Sequence, residues 1–258
     1  MSPTSSQQTI EQFSRVAKIP HAWQQFVAGI GAWSAPSRLI AARECRGAAS
    51  VIDLGCGPCV FAETLERCWA QAKLDNVLST PPPEPLYLGI DGSEEMLLEA
   101  KRRNPARRVL LKDVCADDLP TYAARALDQR AWIEGAGEDA KLRADVVVMR
   151  HVLEHLQDPL PALCNALVLA RRKVVLVFSQ VPLLELSYSV RTDDYLGCTR
   201  WAHQEANLLA EVESHGWRRV TAFYNRMIFG VTVASPTEPN VRLAPNESLW
   251  ILEPAAQK

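Results

Sequence analysis

Four places in the sequence put chemistry-bearing side chains where a strand should end. The first is Val51-Ile52-Asp53-Leu54-Gly55-Cys56-Gly57-Pro58-Cys59: an apolar run, an acid, then a Gly-x-Gly turn ahead of a helical pattern. Glycine has no Cβ, so such a turn lets backbone N–H groups approach a ligand closely. The same turn also serves as an ordinary strand-to-helix connection, and alone it does not decide. Asp91 ends a second run in Leu88-Gly89-Ile90-Asp91-Gly92-Ser93, and Asp113 ends a third. Arg150-His151-Val152-Leu153-Glu154-His155-Leu156 ends a fourth. An acid after the second strand can accept both hydroxyls of a ribose, as in dinucleotide-binding folds. Acids after three successive strands, all on one side of a sheet, argue for a ligand there. His151 is the candidate general base, because it sits just past the fourth strand; a packing role for it stays open. His155, one helical turn on, reads as structural. Tyr195, Arg200 and His203, in a polar and aromatic stretch after the fifth strand, are candidate substrate residues, with a helix N-cap and a surface loop as the alternatives.

The elements that must position these groups follow from periodicity. Ile10, Phe13, Val16 and Ala17 recur at helical spacing, giving a helix that docks on the domain until Pro20. Trp23, Phe26, Val27 and Ile30 share one helical face, suited to core packing or to a lid over a pocket. Trp23 is therefore a further substrate-binding candidate. Pro36 opens a helix that Gly47 ends. Strands are expected over 50–54, 86–90, 108–112, 144–149 and 173–178, with helices at 60–70, 93–103 and 159–171. The Thr80-Pro81-Pro82-Pro83-Glu84-Pro85 stretch excludes helix and central strand, so 71–85 is a loop. Residues 180–200 read as irregular, and 203–215 as a helix. Two strands, 217–224 and 227–234, come nearly back to back, and a short edge strand is expected over 248–252.

Strands alternating with helices imply an α/β fold: a doubly wound, mostly parallel, Rossmann-like sheet. It should have about seven strands, a C-terminal antiparallel hairpin and helices on both faces. Ligands in such sheets sit outside the carboxyl ends of the strands, where the first and fourth adjoin. Residues 1–47 read as an N-terminal helical segment or lid. Residues 48–258 read as the catalytic domain, with insertions near 71–85, 121–143 and 180–203.

The chain has 258 residues, 48% of them hydrophobic, enough for one large domain. Its net charge of −2 does not ask for a polyanion, so no nucleic acid is expected as partner. No apolar run approaches the roughly 18 residues of a membrane span, so no membrane partner is expected either. The polar segment Met1 to Gln8 lacks an apolar signal core, which makes the cytoplasm the expected location. Seven cysteines, an odd and scattered set, suggest reduced thiols. Cys56 and Cys59 form a lone C-x-x-C without a second pair, so they read as small loop residues and no metal is expected. The charges flanking 94–103 match a helix dipole, so the basic cluster 101–108 reads as a helix end. A homodimer is compatible with the sequence.

The ordered set of motifs resembles the class I S-adenosylmethionine-dependent methyltransferases. These motifs are Val51–Gly57, Gly89-Ile90-Asp91-Gly92-Ser93-Glu94-Glu95-Met96-Leu97, Asp113…Asp118-Leu119-Pro120 and His151–Leu156. The last is similar to the type 11/12 small-molecule group. The resemblance covers about residues 50–180. It implies S-adenosyl-L-methionine as cofactor and a small-molecule methyl acceptor, with oxygen as the first guess and nitrogen or carbon open. It implies that Gly55, Cys56 and Gly57 pass under the methionine part of the cofactor, with Asp53 near its ammonium. Asp91 and Gly92 would take the ribose diol, and Asp113 and Val114 the adenine edge. Met149 and Arg150 would border the sulfonium. Two departures stand out: Cys59 holds the place of the third small residue, and Pro58 removes a backbone donor.

Two rivals remain. A nicotinamide-dependent oxidoreductase would want Gly-x-Gly-x-x-Gly, with an acid about 20 residues on. Here Val60 replaces the third glycine, and Asp91 lies too far on. A non-catalytic module that keeps the cofactor pocket is the rival from another class.

Overall fold

The computed structural model describes residues 5–20, 23–24, 34–74, 84–126, 133–134, 141–178, 190–195, 198–228, 231–234, 243 and 247–255. The apolar positions Phe26, Val27 and Ile30, the prolines Pro81–Pro83 and all of 180–189 lie outside these residues.

Burial on both faces explains the centre of the sheet. All five residues of β1 (Ser50–Leu54) are buried, as a parallel central strand requires. β1 pairs in parallel with β2 (Leu86–Asp91) on one side and with β6 (Ala144–Arg150) on the other; Ile52 faces Leu88 and Val147. β3 (Val109–Leu111) extends the β2 side. β7 (Ala170–Phe178) extends the β6 side. β12 (Ser248–Pro254), β10 (Trp217–Ile228) and β11 (Val231–Ala234) follow, giving the order β11-β10-β12-β7-β6-β1-β2-β3. The chain therefore leaves β1 in one direction for β2 and β3, and returns in the other for β6 and β7. That reversal opens a crevice at the carboxyl ends of β1 and β6.

Successive strand residues point to opposite faces, and the core divides accordingly. Ile52, Leu88, Val147 and Met149 pack with Leu163 and Leu167 of helix α6 (Leu160–Leu169). Val51, Val146, Val148 and Val175 pack with Ile40 of α2 (Pro36–Glu44) and with Phe61 and Leu65 of α3 (Val60–Leu74). Ahead of these lies α1 (Ser5–Ala17). α4 (Glu94–Arg103) is capped by Ser93, whose Oγ accepts the Met96 N–H at 3.3 Å. α5 (Leu119–Ala126) follows the third strand, and α7 (Glu205–Ser214) precedes β10. The basic cluster at the end of α4 is engaged by acids: Arg102 and Arg103 on Glu99, Arg107 on Glu66. Among the described residues no helix is long and apolar enough to cross a membrane.

Two expectations are corrected. The strand at 248–252 is not at the edge: β12 runs antiparallel between β7 and β10, with Leu249 opposite both Val177 and Phe223. Its Leu249-Trp250-Ile251-Leu252 run is apolar on both faces, the mark of an interior strand. The hairpin is formed by β10 and β11, with β11 at the edge. The stretch 180–200 is not wholly irregular: β8 (Val190–Tyr195) and β9 (Cys198–Ala202) form a small antiparallel sheet. Its polar sequence carries no apolar alternation to announce it. A minor strand pair, β4 (Ile133–Glu134) with β5 (Lys141–Leu142), lies within the 121–143 insertion.

Trp250 is wholly buried at the centre of β12, edge-on to Phe178 at 5.2 Å. Trp250→Ala should lower the unfolding free energy by about 3–5 kcal/mol in chemical denaturation. Val220→Ala, on the exposed side of β10, should stay within about 0.5 kcal/mol of wild type.

Candidate active site

A cavity of about 340 Å³ opens at the carboxyl ends of β1, β2 and β6. Its floor is the glycine loop after β1. Gly55 has φ 68°, and a Cβ there would lie 2.3 Å from Val152 Cγ2, so the position suits only glycine. The loop is tied to the end of β2: the N–H groups of Gly55 and Cys56 donate to the Ile90 carbonyl at 2.7 and 3.1 Å. Cys59, where the family pattern has a small residue, adopts φ 58°, and Cys56 and Cys59 pack in a small apolar cluster beside Gly89. Both are free thiols.

Asp91 points into this loop. Its Oδ2 accepts the Gly57 N–H and its Oδ1 the Ser93 N–H, each at 2.8 Å. Burial pushes its carboxyl above the usual range against these backbone hydrogen bonds. Asp53 is buried at the end of β1, where the Tyr87 hydroxyl donates to it at 2.7 Å. Burial raises its pKa to about 7, although the Tyr87 bond works in the other direction. Arg38 on α2 lies within its electrostatic reach, only 2% exposed, lowered to about 10 by burial and by Arg150.

On the β2–β3 side, Asp113 Oδ1 accepts the Cys115 N–H at 2.9 Å, and Val114 and Gly92 line the cavity. Asn165 of α6 holds this loop through the Val114 and Ala116 carbonyls at 2.8 and 3.0 Å. Helix α1 lies over the opening. Ser6 Oγ donates to Asp113 at 2.7 Å, and Thr9 Oγ1 donates to the His155 carbonyl at 2.7 Å. Ile10 fills the space that a Cβ on Gly92 would take, and Phe13 meets the His155 ring edge-on at 5.3 Å. Residues 6, 9, 10 and 13 share one face of the helix, and all four line the cavity.

The β6 end carries the charged cluster. His151 adopts φ 54°, a left-handed conformation that costs a non-glycine residue about 1–3 kcal/mol. That turn brings its ring to the cavity, with Nδ1 at 2.9 Å from Glu154 Oε1 and Nε2 at 3.2 Å from Glu247 Oε1. Glu247 also accepts the Ser37 hydroxyl at 2.7 Å and faces Arg150 at 3.4 Å. Burial raises the Glu247 carboxyl, but bonds from His151 and Ser37 and the charges of His151 and Arg150 outweigh it and leave it lowered. Arg150 and Arg200 both line the cavity.

Several candidates fall elsewhere. Met149 does not border the cavity: it is 1% exposed and packs in the core with Ile52 and Leu163. As the neighbour of Val148 and Arg150 it shares the core face with Val147, because strand residues alternate. Trp23 does not line the cavity; its N–H donates to the Ile19 carbonyl at 2.8 Å. His203 is buried, and its Nε2 bonds the Leu153 carbonyl at 2.8 Å, so it braces the β6 loop from behind. Burial holds it below the usual histidine range. Tyr195 ends β8, and its side chain lies outside the described residues. His155, read as structural, lines the cavity while its Nδ1 meets the Thr199 carbonyl at 3.1 Å. The sequence reading missed Arg38, Glu154 and Glu247. Glu154 carried a local signal, three residues after His151, whereas Arg38 and Glu247 carried none.

Two variants test the floor of the site. Gly55→Ala should destabilise the protein in thermal unfolding, and Gly55→Ala with Val152→Ala should recover only part of the loss, because the second change removes the clash and not the backbone strain. Asp53 retains a proton in the folded state that the unfolded chain loses near pH 4. Its contribution therefore falls as pH rises from about 4 to about 7, by roughly 1.4 kcal/mol per unit of pKa difference. Asp53→Asn should remove that slope, so its stability relative to wild type should rise across this window in ligand-free protein.

The sequence was compared with curated proteins, and none matches. Solved structures resemble the chain in fold. The mitomycin 7-O-methyltransferase MmcR superposes with a TM-score of 0.55 at 13% identity, over 94% of this chain and 60% of that one. DesVI from Streptomyces venezuelae gives 0.54 at 15% identity, over 90% and 97%. The N-terminal domain of EvdMO1, with S-adenosylhomocysteine (SAH) bound, gives 0.50 at 16%, over 86% and 82%. The family model described as "Methyltransferase domain" matches residues 19–222. That span takes in the glycine loop, the acids at the ends of β1 and β2, and the His151 turn. The chain thus belongs to the methyltransferase domain family.

Proposed function

We propose that this methyltransferase uses S-adenosyl-L-methionine and methylates a polar small molecule held against the His151 end of the cavity. The observation that carries the reading is the arrangement around Asp91: a half-buried carboxylate at the end of β2, bonded to the loop after β1, beside a cavity of about 340 Å³. The donor set fits the cofactor. Asp91 suits a ribose diol, and Ile10, Met96 and Val114 offer apolar flanks to a base with Asp113 at its edge. Asp53 and Arg38, an acid and a base side by side at the other end, suit the ammonium and carboxylate of an amino acid. The S-adenosylhomocysteine seen on the same fold in EvdMO1 agrees with this assignment.

The bound cofactor supplies an electrophilic methyl group on a sulfonium. The chain's residues then position, desolvate and, for a protonated nucleophile, take a proton. His151 is suited to that last task. Glu154 orients its ring through Nδ1, and a proton arriving at Nε2 meets Glu247, so both carboxylates stabilise the imidazolium that forms. The two contacts are both hydrogen bonds only when the ring carries two protons. A neutral ring turns one lone pair to a carboxylate, and that lone pair is the one an acceptor hydroxyl would use. Oxygen is accordingly our first choice of acceptor atom. Arg150 and Arg200 favour an acceptor with acidic or hydrogen-bond-accepting groups. We assign residues 1–47 the role of a lid, on the strength of the α1 face over the opening. Seven free thiols suit work in a reducing cytoplasm.

Calorimetric titration with SAH tests the cofactor. Wild type should bind saturably, and Asp91→Ala should weaken binding by about tenfold or more, roughly 1.4 kcal/mol. No binding by folded wild type would overturn the reading. Once an acceptor is found, His151→Gln should lower kcat by about 10²-fold or more while SAH affinity stays near wild type. An unchanged kcat would remove His151 from the proton path.

A further inference from the structure

We propose that Cys164, Glu211 and His215 form a site for a divalent transition metal of the zinc class, at the junction of α6 and α7 and outside the main cavity. Cys164 lies on α6. Glu211 and His215 stand four residues apart at the end of α7, on one helical face. One ligand atom from each lies within 4.8 Å of the other two. The Cys164 Sγ is 3.2 Å from His215 Nε2. A tetrahedral zinc, with Zn–S of about 2.3 Å and Zn–N of about 2.0 Å, sets its sulfur and nitrogen roughly 3.5 Å apart. Only a few tenths of an ångström therefore separate the present sulfur–nitrogen pair from a coordinating one.

The hydrogen bonds fix the imidazole in the form a metal needs. His215 Nδ1 lies 3.0 Å from the main-chain carbonyl of Glu211, an oxygen that can only accept. Nδ1 therefore carries the proton, and the Nε2 lone pair faces the thiol. A backbone carbonyl on the far ring nitrogen is the usual orienting partner of a metal-bound histidine. The Ser214 hydroxyl donates to the same carbonyl at 2.8 Å and steadies it. A Glu211 carboxylate oxygen, within 4.8 Å of the ligand atoms of Cys164 and His215, supplies the third ligand. Thiolate, imidazole and carboxylate together select zinc over calcium or magnesium, and three protein ligands leave the fourth position to water.

Binding is a metal-for-proton exchange. The Cys164 S–H bond breaks, the sulfur keeps the electron pair and donates it to the metal, and the proton leaves to solvent. The carboxylates of Glu211 and Asp117 act electrostatically on that thiol. The same negative charges draw a cation in. All three residues stand at a partly open surface, so a hydrated ion can reach them. The adjacent Asn165 holds the cavity loop at Val114 and Ala116, which puts the metal clamp on the helix that steadies one wall of the site.

The test is a titration of chelator-treated full-length protein with Co²⁺, followed by Zn²⁺, read by the thiolate-to-cobalt charge-transfer absorption. Wild type should take up Co²⁺ saturably and show the band, and Zn²⁺ should abolish it. Cys164→Ser should lack the band, and His215→Ala should weaken affinity by about tenfold or more. Cys68→Ser, a half-buried thiol elsewhere, should behave as wild type. Zn²⁺ should also raise the melting temperature of wild type but not of Cys164→Ser, which shows that the folded variant has lost the ion and not its structure. No saturable band in wild type would overturn the proposal. So would a wild-type band in folded Cys164→Ser.

Discussion

The end of β2 grips the loop after β1 through three hydrogen bonds, from Gly55, Cys56 and Gly57, and the rest of the site depends on that grip. The Ile90 carbonyl takes two of these backbone N–H groups and the Asp91 carboxylate the third. A loop that must leave its amides near a ligand is hard to hold by packing, because the side chains that would pack also fill the space. Holding it by its own backbone solves this: the glycines give clearance while a neighbouring strand end supplies acceptors. Parallel pairing of β1 with β2 and β6 then brings three strand ends to one crevice without any further device. The strain at Gly55 is absorbed by glycine, whereas Cys59 and His151 hold left-handed conformations that only surrounding structure can maintain.

Charge is the second organising constraint. Arg38, Arg150, Asp53 and Glu154 line the cavity, and Glu247 meets His151 of that lining; most of them are buried. Isolated, each would carry a severe desolvation penalty. Together they form a chain from Asp53 through Arg38 and Arg150 to Glu247, His151 and Glu154. The two ends differ in acid strength: burial raises Asp53, and its donors lower Glu247. Such separation of acid strengths keeps Glu247 ionised beside His151, while burial leaves Asp53 easier to protonate.

The sequence revealed what is local and concealed what is tertiary. Asp53, Gly55, Gly57, Asp91 and Asp113 were legible because each sits at a strand end, next to the element that places it. The parallel sheet and its reversal were legible because strand and helix patterns alternate. Arg38 reads on paper as one more charge on a helix, and nothing in its neighbours shows that it turns inward. Glu247 follows a proline-rich stretch that hides the strand it introduces. Met149 was misplaced because proximity in sequence was read as proximity to the cavity, whereas its face of the strand points to the core. His203 looked like a loop residue near a substrate; its partner, the Leu153 carbonyl, is 50 residues away in sequence.

Helix α1 touches both halves of the cavity at once. Ser6 bonds the acid at the end of β3, while Thr9 and Phe13 engage the loop after β6, and Gln12 meets the Thr199 N–H of β9 at 3.0 Å. A rigid rod pinned at both ends cannot lift over one half alone. A change at either end of the helix is therefore felt over both halves of the cavity.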